Sequence, residues 1–249
     1  MTREKKFTNL RMFGTIIAIF RFLLIQKVFS LVLFFCGGGE MLQLKTIIAQ
    51  ANKIRGWRGD QQMLWLANNV FRLEEMLGRG LVIIEVGPWM GKTTKLLSGV
   101  CTGVVYVVDH WLGSDSIGEN RDATGPIARE MGRDAVYAVF CRNLADEIRC
   151  GKVVPIRSAS VNAVPILDVY LQGGKADMIF IDADHSYRAV VADLATYMPL
   201  LADYGLICGD DYVDGWDGVI QAVNERFGKR NARKGPGALW YWTKTGEIR

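Results

Sequence analysis

Two short stretches carry most of the side chains able to do chemistry. Asp177-Met-Ile-Phe-Ile-Asp182-Ala-Asp184-His185-Ser-Tyr187 is an apolar run ending in two carboxylates and an imidazole. Leu206-Ile-Cys-Gly-Asp210-Asp211-Tyr212 repeats the arrangement with a pair of acids. If the runs are neighbouring strands of a parallel sheet, their tips bring Asp182, Asp210 and Asp211 together. Three carboxylates repel one another unless a cation sits among them. All-oxygen ligands suit Mg²⁺, Mn²⁺ or Ca²⁺ rather than zinc. Solvated acids at strand ends are the plainer alternative, and two strands each ending in paired acids speak against it. The only histidines are His110 and His185. His185 stands beside the acids, where an imidazole is suited to take a proton near neutral pH.

A second group is Glu85-Val-Gly87-Pro-Trp-Met-Gly91-Lys92-Thr93-Thr94, which follows an apolar run and opens a helical pattern. Gly87 permits a tight turn and a close ligand approach. Gly91 does the same at a helix start, whose free N–H groups favour a negative or polar ligand. A P-loop needs four residues between its first glycine and the Gly-Lys-Ser/Thr. Here there are three, and Val86 holds the required glycine position, so that reading fails. Glu-x-Gly-x-x-x-Gly remains as a nucleotide-site spacing, with a bare strand-to-helix turn as the alternative. About twenty residues on, Val104–Val108 ends in Asp109, where an acid at a strand tip binds ribose hydroxyls.

These groups need strands that end where the chemistry begins. Apolar runs at 81–86, 104–108, 153–157, 178–181, 206–208 and 238–243 read as strands, the first two as buried parallel ones. Helical periodicity covers 41–77, broken near Gly56, Gly59 and Asp60, and recurs after the glycine loop, at 127–150, at 187–202 and at 217–228. Residues 111–126, polar and Gly-rich, read as a surface loop. The alternation predicts a doubly wound, mostly parallel α/β domain over 41–249, with helices over 41–80 as an N-terminal cap.

Of 249 residues, 50% are hydrophobic and 22% charged, and the mean hydropathy is +0.12, which excludes a disordered or collagen-like chain. The net charge is +4. Six of the 30 basic and two of the 26 acidic side chains fall within residues 1–40, which leaves 24 of each in 41–249. The body is neutral and has no field to attract a polyanion. The basic group Arg226, Lys229, Arg230, Arg233 and Lys234 reads as a solvated helix end and loop. None of the five cysteines is in a CxxC, so they read as free thiols of a reducing compartment.

Residues 1–40 form a basic, apolar leader. Met12–Cys36 is long enough to span a bilayer but carries Arg21 and Lys27 near its middle. No small-x-small cleavage pattern follows it. Gly37-Gly-Gly-Glu40 directly before Met41 is a run whose codons can resemble a ribosome-binding site. The expectation is a start at or near Met41, with membrane contact only if the leader belongs to the working protein.

Together, Glu85–Thr94, Val108-Asp109-His-Trp-Leu-Gly-Ser114, Phe140-Cys-Arg-Asn143, Phe180-Ile-Asp-Ala-Asp-His-Ser-Tyr187 and Gly209-Asp-Asp-Tyr212 make the chain resemble class I S-adenosylmethionine (SAM) methyltransferases. Among these it is similar to the bacterial sugar and antibiotic O-methyltransferases of the macrocin type. The resemblance spans about residues 80 to 228. It implies a Rossmann-like, mostly parallel seven-stranded sheet with an antiparallel last strand, which Leu239–Thr243 supplies. It implies SAM over Glu85, Gly87, Pro88, Trp89, Gly91 and Thr93, with its ribose on Asp109, flanked by His110 and Trp111. Ser158, Ala159 and Asp182 complete the cofactor set. Metal-dependent members place one acid after the fourth strand and a pair after the fifth, which by position are Asp182, Asp210 and Asp211. Their base lies two or three residues past the first acid, at Asp184 or His185. Relatives commonly have an acid at the adenine, where this chain reads Arg157-Ser158-Ala159-Ser160. Many have His-Asp at Asp210-Asp211, so metal dependence varies within the group.

The implied reaction is SN2 methyl transfer to a hydroxyl of a small molecule or sugar, assisted by a divalent metal. The alternatives are a metal-independent transferase and a SAM- or nucleotide-binding protein without catalysis. Trp57, Trp65, Trp111 and Trp216 suit stacking on a sugar or aromatic ring, with core packing as the plainer alternative. The expected setting is the cytoplasm, at most peripheral at a membrane, with no nucleic-acid partner and self-association left open.

Overall fold

Apolar runs with no polar alternation need both faces covered, and the central strands are buried along nearly their whole length. The computed structural model describes residues 41–113, 124–132 and 134–244. Strand β1 (Val82–Val86) and β4 (Ala176–Ile181) are buried at all positions but one. They lie at the centre of a seven-stranded sheet of order β3-β2-β1-β4-β5-β7-β6. The other parallel strands are β2 (Val104–Asp109), β3 (Val153–Arg157) and β5 (Leu201–Gly209). Strand β7 (Trp240–Thr243) pairs antiparallel with β5. A two-residue strand β6 (Arg233–Lys234), which no apolar run marked, pairs antiparallel with β7 and completes the seven. Each fully buried Val, Leu or Ile contributes roughly 1.5–3 kcal/mol, so this double-sided burial fixes the strands in place.

Residues 41–51 are helical (α1), and α2 (Asp60–Leu77) follows the expected break. Helix α3 (Lys92–Val100) starts at the glycine loop. The single helix expected over 127–150 is three pieces: α4 (Thr124–Met131), α5 (Ala135–Asn143) and α6 (Ala145–Arg149). Gly132 and Asp134 adopt left-handed backbone between the first two, a conformation a continuous helix excludes. Helix α7 (Val164–Leu171) went unmarked in the sequence because its apolar residues lack a clear period. Helices α8 (Tyr187–Tyr197) and α9 (Asp217–Phe227) stand close to their expected spans. Strand β5 begins at Leu201, five residues before its apolar run, in the stretch where the helical pattern had been carried to 202.

The chain divides into two compact units, residues 1–46 and 47–249, and every strand belongs to the second. Among the described residues no helix is long and apolar enough to cross a membrane. The expectations about residues 1–40, and most of the expected loop at 111–126, fall outside the described residues.

The topology decides where a ligand binds. Strand order reverses between β1 and β4, and open α/β sheets take ligands at the carboxyl ends of strands beside such a switch. The strand tips bond to one another in steps. Gly87 N–H donates to Val108 O (2.9 Å), Asp182 N–H to Val86 O (2.8 Å) and Asp210 N–H to Ile181 O (3.3 Å). Asp109, Gly87, Asp182 and Asp210 are thereby aligned along one edge.

Candidate active site

Two cavities open along that edge. One, of about 230 Å³, is lined by Gly87, Trp89, Asp109, His110, Ala159, Asp182, Asp184 and Asp193 among others. The other, of about 280 Å³, is lined by Trp57, Arg58, Pro88, Lys92, Thr93, His185, Asp210, Asp211 and Trp216 among others. They share Gly87, Trp89, Asp182 and Ala183 as a common wall.

The shared wall depends on Gly87. Its φ is +84°, and a Cβ there would stand 2.0 Å from Asp182 O, so no other residue lets the β1–α3 turn pass the β4 tip. Asp109 organises the turn from the other side: Oδ1 accepts from Trp111 N–H (2.7 Å) and Oδ2 from Trp89 N–H (3.4 Å). Burial pushes its carboxyl above the ordinary range against these bonds. Trp111 is buried, and its Nε1–H donates to Trp89 O (2.7 Å). Trp89, Trp111 and Asp211 all hold left-handed backbone (φ 46°, 57° and 62°). Such strain in non-glycine residues gathers at functional sites.

The residues expected to hold SAM separate into three groups. Gly87, Trp89, Asp109, His110, Ala159 and Asp182 line the smaller cavity. Pro88 and Thr93 line the larger one. Glu85 and Trp111 are buried supports, and Gly91 and Ser158 line neither cavity. Glu85 accepts from Thr94 Oγ1–H (2.6 Å), and burial raises its carboxyl to about 8. The fit to a nucleoside cofactor rests on this chain's own chemistry: a carboxylate at the β2 tip, glycine-bared backbone, and a helix N-terminus at α3. To these is added the Trp89 Nε1–H, a buried donor with no hydrogen-bond partner among the described residues. Asp193, which the sequence reading did not single out, lines the same cavity at 2% exposure and accepts from Ser160 Oγ–H (2.5 Å).

The acids of β4 and β5 come together as the sequence suggested, but basic side chains of the chain itself stand among them. Arg58, from the turn before α2 and 5% exposed, stands between them. Its Nη1 donates to Asp210 Oδ2 (2.7 Å), its Nη2 to Asp182 Oδ2 (2.5 Å) and its Nε to Thr93 Oγ1 (2.9 Å). The guanidinium lies over the Phe180 ring, 4.5 Å from its centroid. Gln62 Nε2–H donates to Asp210 Oδ1 (3.1 Å), while its Oε1 accepts from Gly59 N–H (3.1 Å) at the start of α2. Asp211 turns instead to His185, Oδ2 to Nε2 at 2.9 Å, and the same Nε2 is 3.6 Å from Asp182 Oδ1. The His185 ring packs on Trp216 with centroids 4.5 Å apart.

The charges follow from this pairing. Burial opposes ionisation of Asp182, but Arg58 and His185 hold it below its ordinary value. Asp210 shares one cation and faces two acids, so burial prevails and its carboxyl rises to about 6. Burial also works against His185, yet Asp182 and Asp211 raise it to about 11. The expected metal set of Asp182, Asp210 and Asp211 therefore does not fit a shared ion. Asp210 has both oxygens engaged by protein donors, and a guanidinium fills the gap to Asp182. Among the described residues, the trio whose donor atoms fall within 4.8 Å of one another is Asp182, His185 and Asp211.

Asp184 faces the smaller cavity and accepts from Ser186 N–H (2.7 Å). Of the four tryptophans, Trp57 (66% exposed) and Trp216 line the larger cavity. Trp111 packs in the core and Trp65 on Tyr241, 5.1 Å between centroids.

Comparison with known proteins agrees with the fold. The methyltransferase-domain family profile matches residues 84–212, just over half of the chain. The chain belongs to that family and is a SAM-dependent methyltransferase with a Rossmann-like sheet. The chain resembles the solved calicheamicin methyltransferase CalS11 at 16% identity, covering 83% of this chain and 93% of that one, with a TM-score of 0.52. It also resembles the O-methyltransferase NovP at 17% identity, covering 75% and 81%, with a TM-score of 0.52. A Bacillus cereus O-methyltransferase in complex with S-adenosylhomocysteine (SAH) matches at 15% identity, covering 81% and 90%, again at 0.52. No curated protein matches by sequence.

Proposed function

We propose that this chain transfers the methyl group of SAM to a hydroxyl of a small molecule or sugar. The observation that carries the reading is the pair of cavities sharing one wall at Gly87, Trp89, Asp182 and Ala183. The Asp109 side suits the donor, the Trp57 and Trp216 side the acceptor, and the methyl group passes where they meet. The named functions of NovP and the Bacillus cereus relative support O-methylation. The acceptor oxygen attacks the methyl carbon, the C–S bond breaks with its electron pair going to sulfur, and SAH leaves. Alignment of oxygen, carbon and sulfur supplies most of the rate.

The hydroxyl proton passes to the carboxylate of Asp211, which the imidazolium of His185 holds in place at 2.9 Å in the acceptor-side cavity. Of the two bases expected from the sequence, His185 lines that cavity, as a positioning residue, whereas Asp184 lines the other. No step is assigned to Mg²⁺, since Arg58 stands where Asp182 and Asp210 would share it. Two aromatic walls favour a sugar or phenolic acceptor over a nucleic acid, and a SAM-fed enzyme of this kind belongs in the cytoplasm.

SAH formation measured over a panel of sugars, sugar nucleotides and phenols tests the reading. His185→Asn is expected to slow turnover on an accepted substrate by about 10²-fold or more, with SAH affinity unchanged in calorimetry. A chain that binds no SAH, or a His185→Asn variant with unaltered turnover, would overturn it.

A further inference from the structure

We propose that Arg58 is the resident cation of the acceptor site, so that the Asp182–Asp210 pair takes no divalent metal. The inference builds on the methyltransferase reading and concerns only how its carboxylates are held. Three independent features carry it. First, the guanidinium is committed: Nε, Nη1 and Nη2 each donate to a different side chain, and the plane packs on Phe180. A planar fork of this kind holds two carboxylates in fixed directions, which a lysine cannot do. Second, Asp210 is complete without a metal, with one oxygen taken by Arg58 and the other by Gln62. Gln62 is itself fixed by its bond to Gly59 N–H at the helix start. Third, the third acid has a protein partner of its own, Asp211 being paired with His185. Arg58 and His185 thus partner the three carboxylates along the strand tips.

Arg58 is a positioning residue in this scheme. It fixes Asp182, which belongs to the walls of both cavities, and through Thr93 it ties the first turn of α3 to the acceptor side. A bound divalent ion would have to displace a buried guanidinium and leave it without partners, at a large cost in free energy.

Mn²⁺ titration of the metal-stripped full chain, followed by electron paramagnetic resonance, tests this without needing the acceptor. The wild type is expected to bind no stoichiometric Mn²⁺ at these acids. Arg58→Met, which keeps the volume and removes the charge, is expected to gain one site per chain, lost again when Asp182→Asn is added. Wild-type binding of one Mn²⁺ that Asp182→Asn or Asp210→Asn abolishes would overturn the proposal. A folded Arg58→Met that gains no site would do the same. Wild-type binding that survives both asparagine variants lies elsewhere and leaves the pair metal-free, as proposed. If Arg58→Met does not fold, the wild-type and asparagine titrations decide alone. SAH calorimetry on the wild type runs alongside, so failure of the methyltransferase reading is seen separately.

Discussion

Asp193 places a carboxyl in the wall of the cofactor-side cavity, with the Ser160 hydroxyl as its donor. Burial raises it to about 6, against the Ser160 bond that favours the charged form. The sign follows: the folded chain holds this proton more tightly than the unfolded one. The stability it contributes is complete below the ordinary carboxylate value near 4 and is lost as pH rises through about 6. Asp193→Asn is therefore expected to match the wild type at pH 3.5 and to exceed it by about 2–3 kcal/mol at pH 8, measured by urea unfolding at both values. At this scale local spacing was a partial guide. It marked Asp109, Asp182 and His185 because each ends or follows an apolar run. It missed Asp193 and Arg58, since nothing adjacent to a single acid in a helix or a single arginine in a turn says what it will meet.

The β1–α3 turn is the element on which both cavities depend. Gly87 is held at φ +84° against the β4 tip, and a methyl group there meets the carbonyl of Asp182. Gly87→Ala is expected to cost at least about 2 kcal/mol of stability from strained backbone alone and to abolish SAH binding, checked by urea unfolding and calorimetry. Element types were legible from period and from runs buried on both faces. Boundaries were less so: the helix expected over 127–150 breaks at Gly132 and Asp134, and β5 starts early at Leu201. The first follows from left-handed backbone at Gly132 and Asp134, the second from tertiary pairing, since Leu201 is drawn into the sheet by its register with Ala176.

For the whole molecule, a ligand that spans the β1 and β2 tips ties the sheet edge together and stabilises only the folded chain. SAH at a hundredfold excess over its Kd is expected to add about 2.7 kcal/mol, a rise of roughly 5–10 °C in Tm for a chain of this size. Asp109→Asn is expected to lose most of that shift in thermal scans, because Asp109 offers the carboxylate at the β2 tip for a ribose. The neutral body and all but one of the strands, in their succession along the chain, were determined by the sequence alone: charge is a sum over residues, and apolar runs fold as strands wherever both faces are covered. The glycine loop and the acid-tipped strands were likewise written in local spacing. What occupies the space between Asp182 and Asp210 was decided only by tertiary structure. Arg58 lies more than a hundred residues from either acid in sequence, and only the folded chain brings its guanidinium to the strand tips. A set of acids read as a place for a metal became a set of ion pairs because a buried charge takes whatever opposite charge the fold delivers to it.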